Sequence, residues 1–310
     1  MFPTLGERGR PDSCPIRKCH IHADRMAAVE ERRPGPRTRK VLRSRDTRQA
    51  VGTDAAGRRQ YLYHDRWREH RDRQKFDEML DFARTLPELR TAVARGLRRK
   101  GLTRERVLAG AVALLDEGLF RVGGDANTEE NGSYGLATLE RRHVSLNGDD
   151  TVVFDYLGKA GARQVRHVAG RPLYRLATEL KWEHRRGREF LAYRNGRGWV
   201  DVDSAELNAF IKELAGNGFS AKNFRTWHAN VLAASAVAAE GVHASSRGRD
   251  RVVRAAIADV AESLGNTPAV CRTSYIDPRV FDRYRSGSTI DPKLRKRDEV
   301  EAAVIALLER

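Results

Sequence analysis

The sequence predicts an α+β chain: a small β-containing N-terminal piece, then a mostly helical domain with an inserted three-stranded antiparallel sheet. Three observations carry this. The first fifty residues show neither a helical nor a strand period. Beyond Val51 most apolar residues recur at three- and four-residue spacing. Between Tyr134 and Ala169 the spacing changes to two, with Asn147-Gly148 and Gly158-Lys159-Ala160-Gly161 as turns.

The elements follow in order. Met1 to Gln49 is aperiodic; residues 1–50 hold five of the ten prolines and thirteen Lys/Arg against six Asp/Glu, and are expected to be a disordered basic arm. Cys14, Cys19, His20 and His22 lie there in a spacing that fits no usual zinc module, so no metal site is assigned. Gly57-Arg58-Arg59 opens a strand, Gln60 to His64, with Tyr61 and Tyr63 on one face. Phe76, Met79, Leu80 and Ala83 form a helical stripe, and Pro87 is expected to start a further helix towards Lys100. Thr103 caps a helix that ends at Gly118. Strands are expected at Tyr134 to Leu139, Thr151 to Leu157 and Gln164 to Ala169. Asp203 to Glu206 reads as a capping box before a helix ending at Gly216. An alanine-rich helix runs from about Lys222 to Glu240, and another carries Ile257, Val260, Ala261 and Leu264 up to Gly265. Thr267-Pro268 opens a short helix containing Tyr275, and Asp291-Pro292 a last one with Val300, Val304 and Leu307.

Composition narrows the function. Fifty-eight Lys/Arg against 42 Asp/Glu leave a net charge of +16, which favours a polyanionic partner, nucleic acid first. No apolar run approaches the ~20 residues of a membrane span, and three cysteines cannot form a disulfide framework. There is no phosphate loop, no G-x-G-x-x-G and no H-E-x-x-H; Asp201-Val202-Asp203 is read as a helix N-cap, not a metal pair.

What remains is a set of cations and one tyrosine. Leu119-Phe120-Arg121-Val122-Gly123, Tyr156-Leu157-Gly158-Lys159, Lys222-Asn223-Phe224-Arg225-Thr226 and Leu264-Gly265-Asn266-Thr267-Pro268 occur in that order, with Tyr275 nine residues after Asn266. Singly, each has an ordinary explanation. Arg121 would be a cation at a helix C-terminus, Lys159 a solvated turn lysine, Tyr275 a packing tyrosine and Asn266 a helix C-cap. Arg225 fits less well, because a cation near a helix start opposes the dipole.

Together these segments resemble the type IB DNA topoisomerases, in particular the poxvirus-like and bacterial subgroup. Gly57-Arg58-Arg59-Gln60-Tyr61-Leu62-Tyr63 and Glu129-Glu130-Asn131-Gly132-Ser133-Tyr134-Gly135-Leu136 fit the same family, so the resemblance covers about Val51 to Arg285. It implies a tyrosine-recombinase-like catalytic domain over 76–310 and a DNA-binding β domain reduced to a remnant at 51–75. The family supplies further strands upstream, which Met1 to Arg48 does not resemble; the Arg/Pro-rich text there is what an out-of-frame translation of a GC-rich gene would give.

The implied activity is relaxation of supercoiled double-stranded DNA through a 3′-phosphotyrosyl intermediate, by a monomer in the cytoplasm at the nucleoid, without cofactor, ATP or metal. Tyr275 is implied as nucleophile, Arg121 and Arg225 as phosphate ligands and Lys159 as general acid. Asn266 stands where poxvirus-like members place histidine. Arg58, Arg59, Gln60, Tyr61, Tyr63 and Lys222 are implied to contact DNA. A tyrosine recombinase, the nearest rival, usually shows H-x-x-R where this chain has Lys222-x-x-Arg225. A non-catalytic DNA-binding remnant is the rival from another class.

Overall fold

A computed structural model describes residues 48–53, 59–63, 65–124, 128, 132–184 and 187–310, with side chains from Arg71 onward. Cys14, Cys19, His20 and His22, like Arg58, His64 and Glu129 to Asn131, lie outside these residues. The chain divides into two compact units, up to Arg73 and from Gln74.

In the first unit, β1 (Arg48–Thr53) pairs antiparallel with β2 (Arg59–Tyr63), Val51 opposite Tyr61 and Thr53 opposite Arg59. β2 realises the expected strand as far as Tyr63; β1 was not read from the sequence. Helix α1 (Asp65–Leu97) follows and enters the second unit. Pro87 does not start a helix, because it lies inside α1. Its missing N–H removes one helical bond, but Phe82, Leu86, Leu89 and Val93 are buried on both sides of it, and that burial keeps the helix continuous.

In the second unit α2 (Arg104–Gly118) is capped as expected, Thr103 Oγ1 accepting from the Arg106 amide. The small sheet has the order β3 (Val144–Asn147), β4 (Thr151–Leu157), β5 (Arg163–Ala169), all antiparallel. Two strands lie where the sequence put them. The third does not: Tyr134 to Leu139 forms an extended approach and one 3-10 turn, Leu136–Thr138. Its backbone is spent elsewhere. The Leu136 and Ala137 amides donate to the Arg121 and Val122 carbonyls at 2.8 Å, and the Tyr134 amide to the Leu157 carbonyl at 2.7 Å.

Helix α3 (Arg171–Glu183) and the hairpin β6 (Ala192–Asn195) with β7 (Gly198–Asp201) were not anticipated. Next come α4 (Ser204–Ala215), α5 (Ala221–Glu240), α6 (Ser246–Leu264), α7 (Pro268–Ser274), α8 (Pro278–Arg285) and α9 (Arg297–Glu309). Asp203 and Thr267 cap as read, and Gly265 ends α6 in the left-handed region at φ 60°. Asp291-Pro292 begins no helix. The Asp291 carboxylate and carbonyl accept the Lys293 and Leu294 amides in a turn, and α9 starts six residues after Asp291. The core joins α1, α2 and α5, where Phe82 meets Phe219 and Phe224 edge-on with centroids 5.4 and 4.8 Å apart. Among the described residues no helix is long and apolar enough to cross a membrane.

Candidate active site

Four segments converge on a narrow cleft lined by Arg121, Tyr156, Lys159, Gln164, Arg166 and Arg225, with Gly265, the residue before Asn266, on its wall. Arg121 stands just past α2, Lys159 at the tip of the β4–β5 hairpin, Arg225 in the second turn of α5 and Asn266 just past α6.

Arg225 is the deepest of them, 4% exposed. Its Nη1 donates to the Leu119 carbonyl and its Nη2 to the Leu264 carbonyl at 2.7 Å. These carbonyls belong to the C-terminal ends of α2 and α6, where the partial negative charge of a helix favours a cation. The cation that serves the end of α2 is therefore Arg225, not Arg121. Two of the five guanidinium N–H groups are used this way, and Nε is buried without a partner. Burial first, then the neighbouring Arg121 charge, bring its pKa down to about 10, so it stays charged at neutral pH.

Arg121 Nη2 donates to Asn266 Oδ1 at 2.5 Å, and Asn266 Nδ2 is left buried with no partner. Asn266 is not the left-handed residue of its turn; Gly265 holds that place. The asparagine is free to serve the cleft. Lys159 is exposed in the short turn Lys159–Gly161.

Tyr275 lies immediately after α7 as its C-cap, so the short helix leads to it rather than containing it. It is 9% exposed, and the Arg225 guanidinium sits 5.6 Å from its ring centroid. Burial alone would raise the phenol pKa. The Arg225 and Arg121 charges and hydrogen bonds outweigh that and bring it below its ordinary value. A phenol so placed is nearer to ionisation than a free tyrosine, whose pKa is ~10. The neighbouring thiol is the reverse case: burial pushes Cys271 up to about 11, which keeps it an un-ionised thiol.

Sequence reasoning missed Asn230, Gln164 and Arg166. Asn230, fully buried on α5, donates through Nδ2 to the Tyr275 carbonyl at 2.9 Å and accepts the Asp277 amide on Oδ1 at 2.7 Å. It fixes the backbone on either side of Ile276. The available signal was a polar residue on the inward stripe Trp227, Asn230, Ala233, Ala234, where an asparagine disfavours helix unless its side chain is bonded.

Lys222 is exposed in the first turn of α5. Arg59, Gln60, Tyr61 and Tyr63 alternate along β2, and their side chains lie outside what the structure describes. Among the described residues no group of three His, Cys, Asp or Glu side chains is placed to hold a metal.

The fold and site thus define a class: a mostly helical basic domain with a guanidinium-lined cleft, one of whose arginines, Arg225, also packs against a buried tyrosine ring. Comparison with known proteins makes this specific. A family model described as "Eukaryotic DNA topoisomerase I, catalytic core" matches residues 64–300, and the chain belongs to the type IB DNA topoisomerase family. DNA topoisomerase 1B of Acanthamoeba polyphaga mimivirus is 26% identical over 264 residues, 80% of this chain and 78% of the viral protein. DNA topoisomerase 1B of Vaccinia virus (strain Copenhagen) is 22% identical over 248 residues, 78% of this chain and 74% of the relative. DNA topoisomerase 1 of Daucus carota is 30% identical over 149 residues, 48% of this chain but only 18% of the plant protein.

Proposed function

We propose that this enzyme relaxes supercoiled double-stranded DNA by cutting one strand, letting the free end rotate and resealing it. The observation that carries the reading is the buried Tyr275 ring packed against the Arg225 guanidinium, 5.6 Å from ring centroid to guanidinium carbon, an arrangement in which the Arg225 and Arg121 charges lower the phenol pKa. Tyr275 Oη attacks a phosphodiester phosphorus and the P–O5′ bond breaks, leaving a 3′-phosphotyrosyl ester. Lys159 Nζ gives a proton to the departing 5′ oxygen, and the phenol proton passes to solvent. The reverse step reseals the strand. One ester replaces another, so the step consumes no nucleotide.

Charge gathers on the non-bridging oxygens in the transition state. Arg121, the unused N–H groups of Arg225 and the unpartnered Asn266 amide are the donors for them. These groups perform the charge stabilisation that a metal ion performs in other phosphoryl-transfer sites. The helical unit is of the tyrosine-recombinase kind. Arg58, Arg59, Gln60, Tyr61 and Tyr63 in the first unit, with Lys222, bind the DNA. The protein works as a monomer at the nucleoid.

The test is relaxation of a supercoiled plasmid with chelator present and ATP absent, combined with denaturant trapping of covalent DNA. The parent should relax the plasmid and form the adduct. Tyr275→Phe should lose both, with DNA binding changed less than about threefold. Strict magnesium dependence, or covalent DNA on another residue of the variant, would refute the mechanism.

A further inference from the structure

Strand β5 runs against the usual alternation. Its inward positions opposite Tyr156 and Phe154 are Gln164 and Arg166, while Val165 faces solvent, 46% exposed. Polar side chains on the core-facing side of a sheet cost desolvation free energy unless they are bonded. These two are bonded to the site. Arg166 Nη1 donates to the Ser263 carbonyl in the last turn of α6 at 2.6 Å, and Nη2 donates to Gln164 Oε1 at 2.7 Å.

Gln164 in turn lies between two glycines. A Cβ on Gly265 would stand 2.7 Å from Gln164 Oε1, and one on Gly158 would stand 2.9 Å from Gln164 Cγ. Gly158 directly precedes Lys159, and Gly265 directly precedes Asn266. The backbone beside Lys159 and the backbone beside Asn266 thus both press on one glutamine side chain. The arginine that holds that glutamine is itself bolted to α6.

We propose that Gln164 and Arg166 form a strut between the Lys159 hairpin and the Asn266 turn, and are positioning residues for proton delivery to the leaving 5′ oxygen. The inference rests on Lys159 being the general acid. A general acid must come within hydrogen-bond reach of the oxygen it protonates, and a displacement of ~1 Å can cost about 10²-fold in rate. Arg121 and Arg225 stand on other elements, and the Asn266 turn is held separately by Arg225 Nη2 on the Leu264 carbonyl and by its own amide on the Ala261 carbonyl, so slackening the strut moves Lys159 more than it moves the phosphate ligands.

Single-turnover cleavage tests this, using DNA with either the ordinary 5′ oxygen or a bridging 5′ sulfur at the scissile bond. A thiolate leaves without protonation. The variants are Lys159→Ala, Gln164→Ala, Arg166→Ala and the double variant Lys159→Ala/Arg166→Ala, each scaled to its folded fraction. On the oxygen substrate Arg166→Ala and Gln164→Ala should slow cleavage roughly 10- to 100-fold. On the sulfur substrate both should return to within a few-fold of the parent. The double variant should be no slower than Lys159→Ala alone. Equal slowing on both substrates would make Arg166 a charge or stability contributor and overturn the strut, with the reading of Lys159 intact provided that Lys159→Ala is restored by sulfur. Parent-like rates for both single variants would overturn it as well. Failure of sulfur to restore Lys159→Ala would remove Lys159 from the acid role, and the strut with it.

Discussion

At the scale of single residues, one chemical type does two jobs in this cleft. Arg225 spends two N–H groups on the helix-end carbonyls of Leu119 and Leu264, which fixes the loops carrying Arg121 and Asn266. Removing it leaves those carbonyls without their cation and Tyr275 without the stronger of the two charges that lower its pKa. Arg225→Ala should therefore lower both the melting temperature and the cleavage rate per folded molecule. Asn266 is different: Gly265 already supplies the left-handed turn, so the asparagine is dispensable to the fold. Asn266→Ala removes one neutral donor and the Oδ1 acceptor of Arg121 Nη2, a loss of about 10²-fold or less in single-turnover cleavage, with the melting temperature within about 2 °C of the parent. Asn266→His keeps a donor at the same place and should retain activity. A lowered melting temperature with an unchanged rate in Asn266→Ala would make the residue scaffold only. Measuring both quantities on each variant separates the two arginine functions from the asparagine one.

At the scale of elements, what the sequence made legible was whatever is encoded locally. Thr103, Asp203 and Thr267 announce helix starts because a short side-chain oxygen must meet an amide two or three residues away. The β6–β7 hairpin is signalled just as plainly by Asn195-Gly196 between Tyr193 and Trp199: Asn195 closes β6 opposite Gly198, and Gly196, at φ 60°, opens the two-residue turn Gly196-Arg197. Interactions across the chain were not legible. Asn230 meets the Tyr275 carbonyl 45 residues away, and Arg166 meets Ser263 97 residues away; no local period records either. The order of the cation segments was legible only as a family resemblance, since spacing alone does not bring Arg121 and Asn266 together across 145 residues. Pro87 misled for a related reason, because tertiary burial overrode its local preference. That override predicts a gain. Pro87 is exposed in the interior of α1, and an alanine restores the missing amide. Pro87→Ala should raise stability by about 1–3 kcal/mol, read as a higher urea midpoint at unchanged slope, with cleavage unaffected. A lower midpoint would show that the helix has bent to fit its proline.

At the scale of the whole molecule, a chain with a net charge of +16 buries two of its 42 carboxylate residues where four helices meet. Asp116, 6% exposed on α2, accepts from Arg90 Nε of α1 at 2.8 Å and from Arg297 Nη2 of α9 at 2.6 Å, with His228 Nε2 of α5 at 3.2 Å. Glu301 of α9 accepts from Arg90 Nη1 and Nη2 at 2.6 and 2.8 Å. Burial by itself would raise both carboxyl pKa values. For Asp116 the bonds from His228 and Arg90 and the Arg297 charge reverse this and hold it well below the usual carboxylate range. For Glu301 the Arg90 bond and charge, then Arg297, do the same. Both groups are more acidic folded than unfolded, so the unfolded chain takes up protons first as the pH falls. Their contribution is complete above about pH 5 and drains away as the pH drops past the unfolded values near 4 towards the lower folded ones. Asp116→Asn deletes the charge but leaves Arg90, Arg297 and His228 crowded around an amide. The expected loss at pH 7 is about 3 kcal/mol, since an uncompensated buried charge is what remains. At pH 3 the parent has surrendered part of the same stabilisation, so the difference between parent and variant should shrink. Urea midpoints of both proteins at the two pH values decide it. A difference that stays constant would mean that the asparagine fails through shape, and that the carboxylate charge does not tie α9 to the catalytic helices.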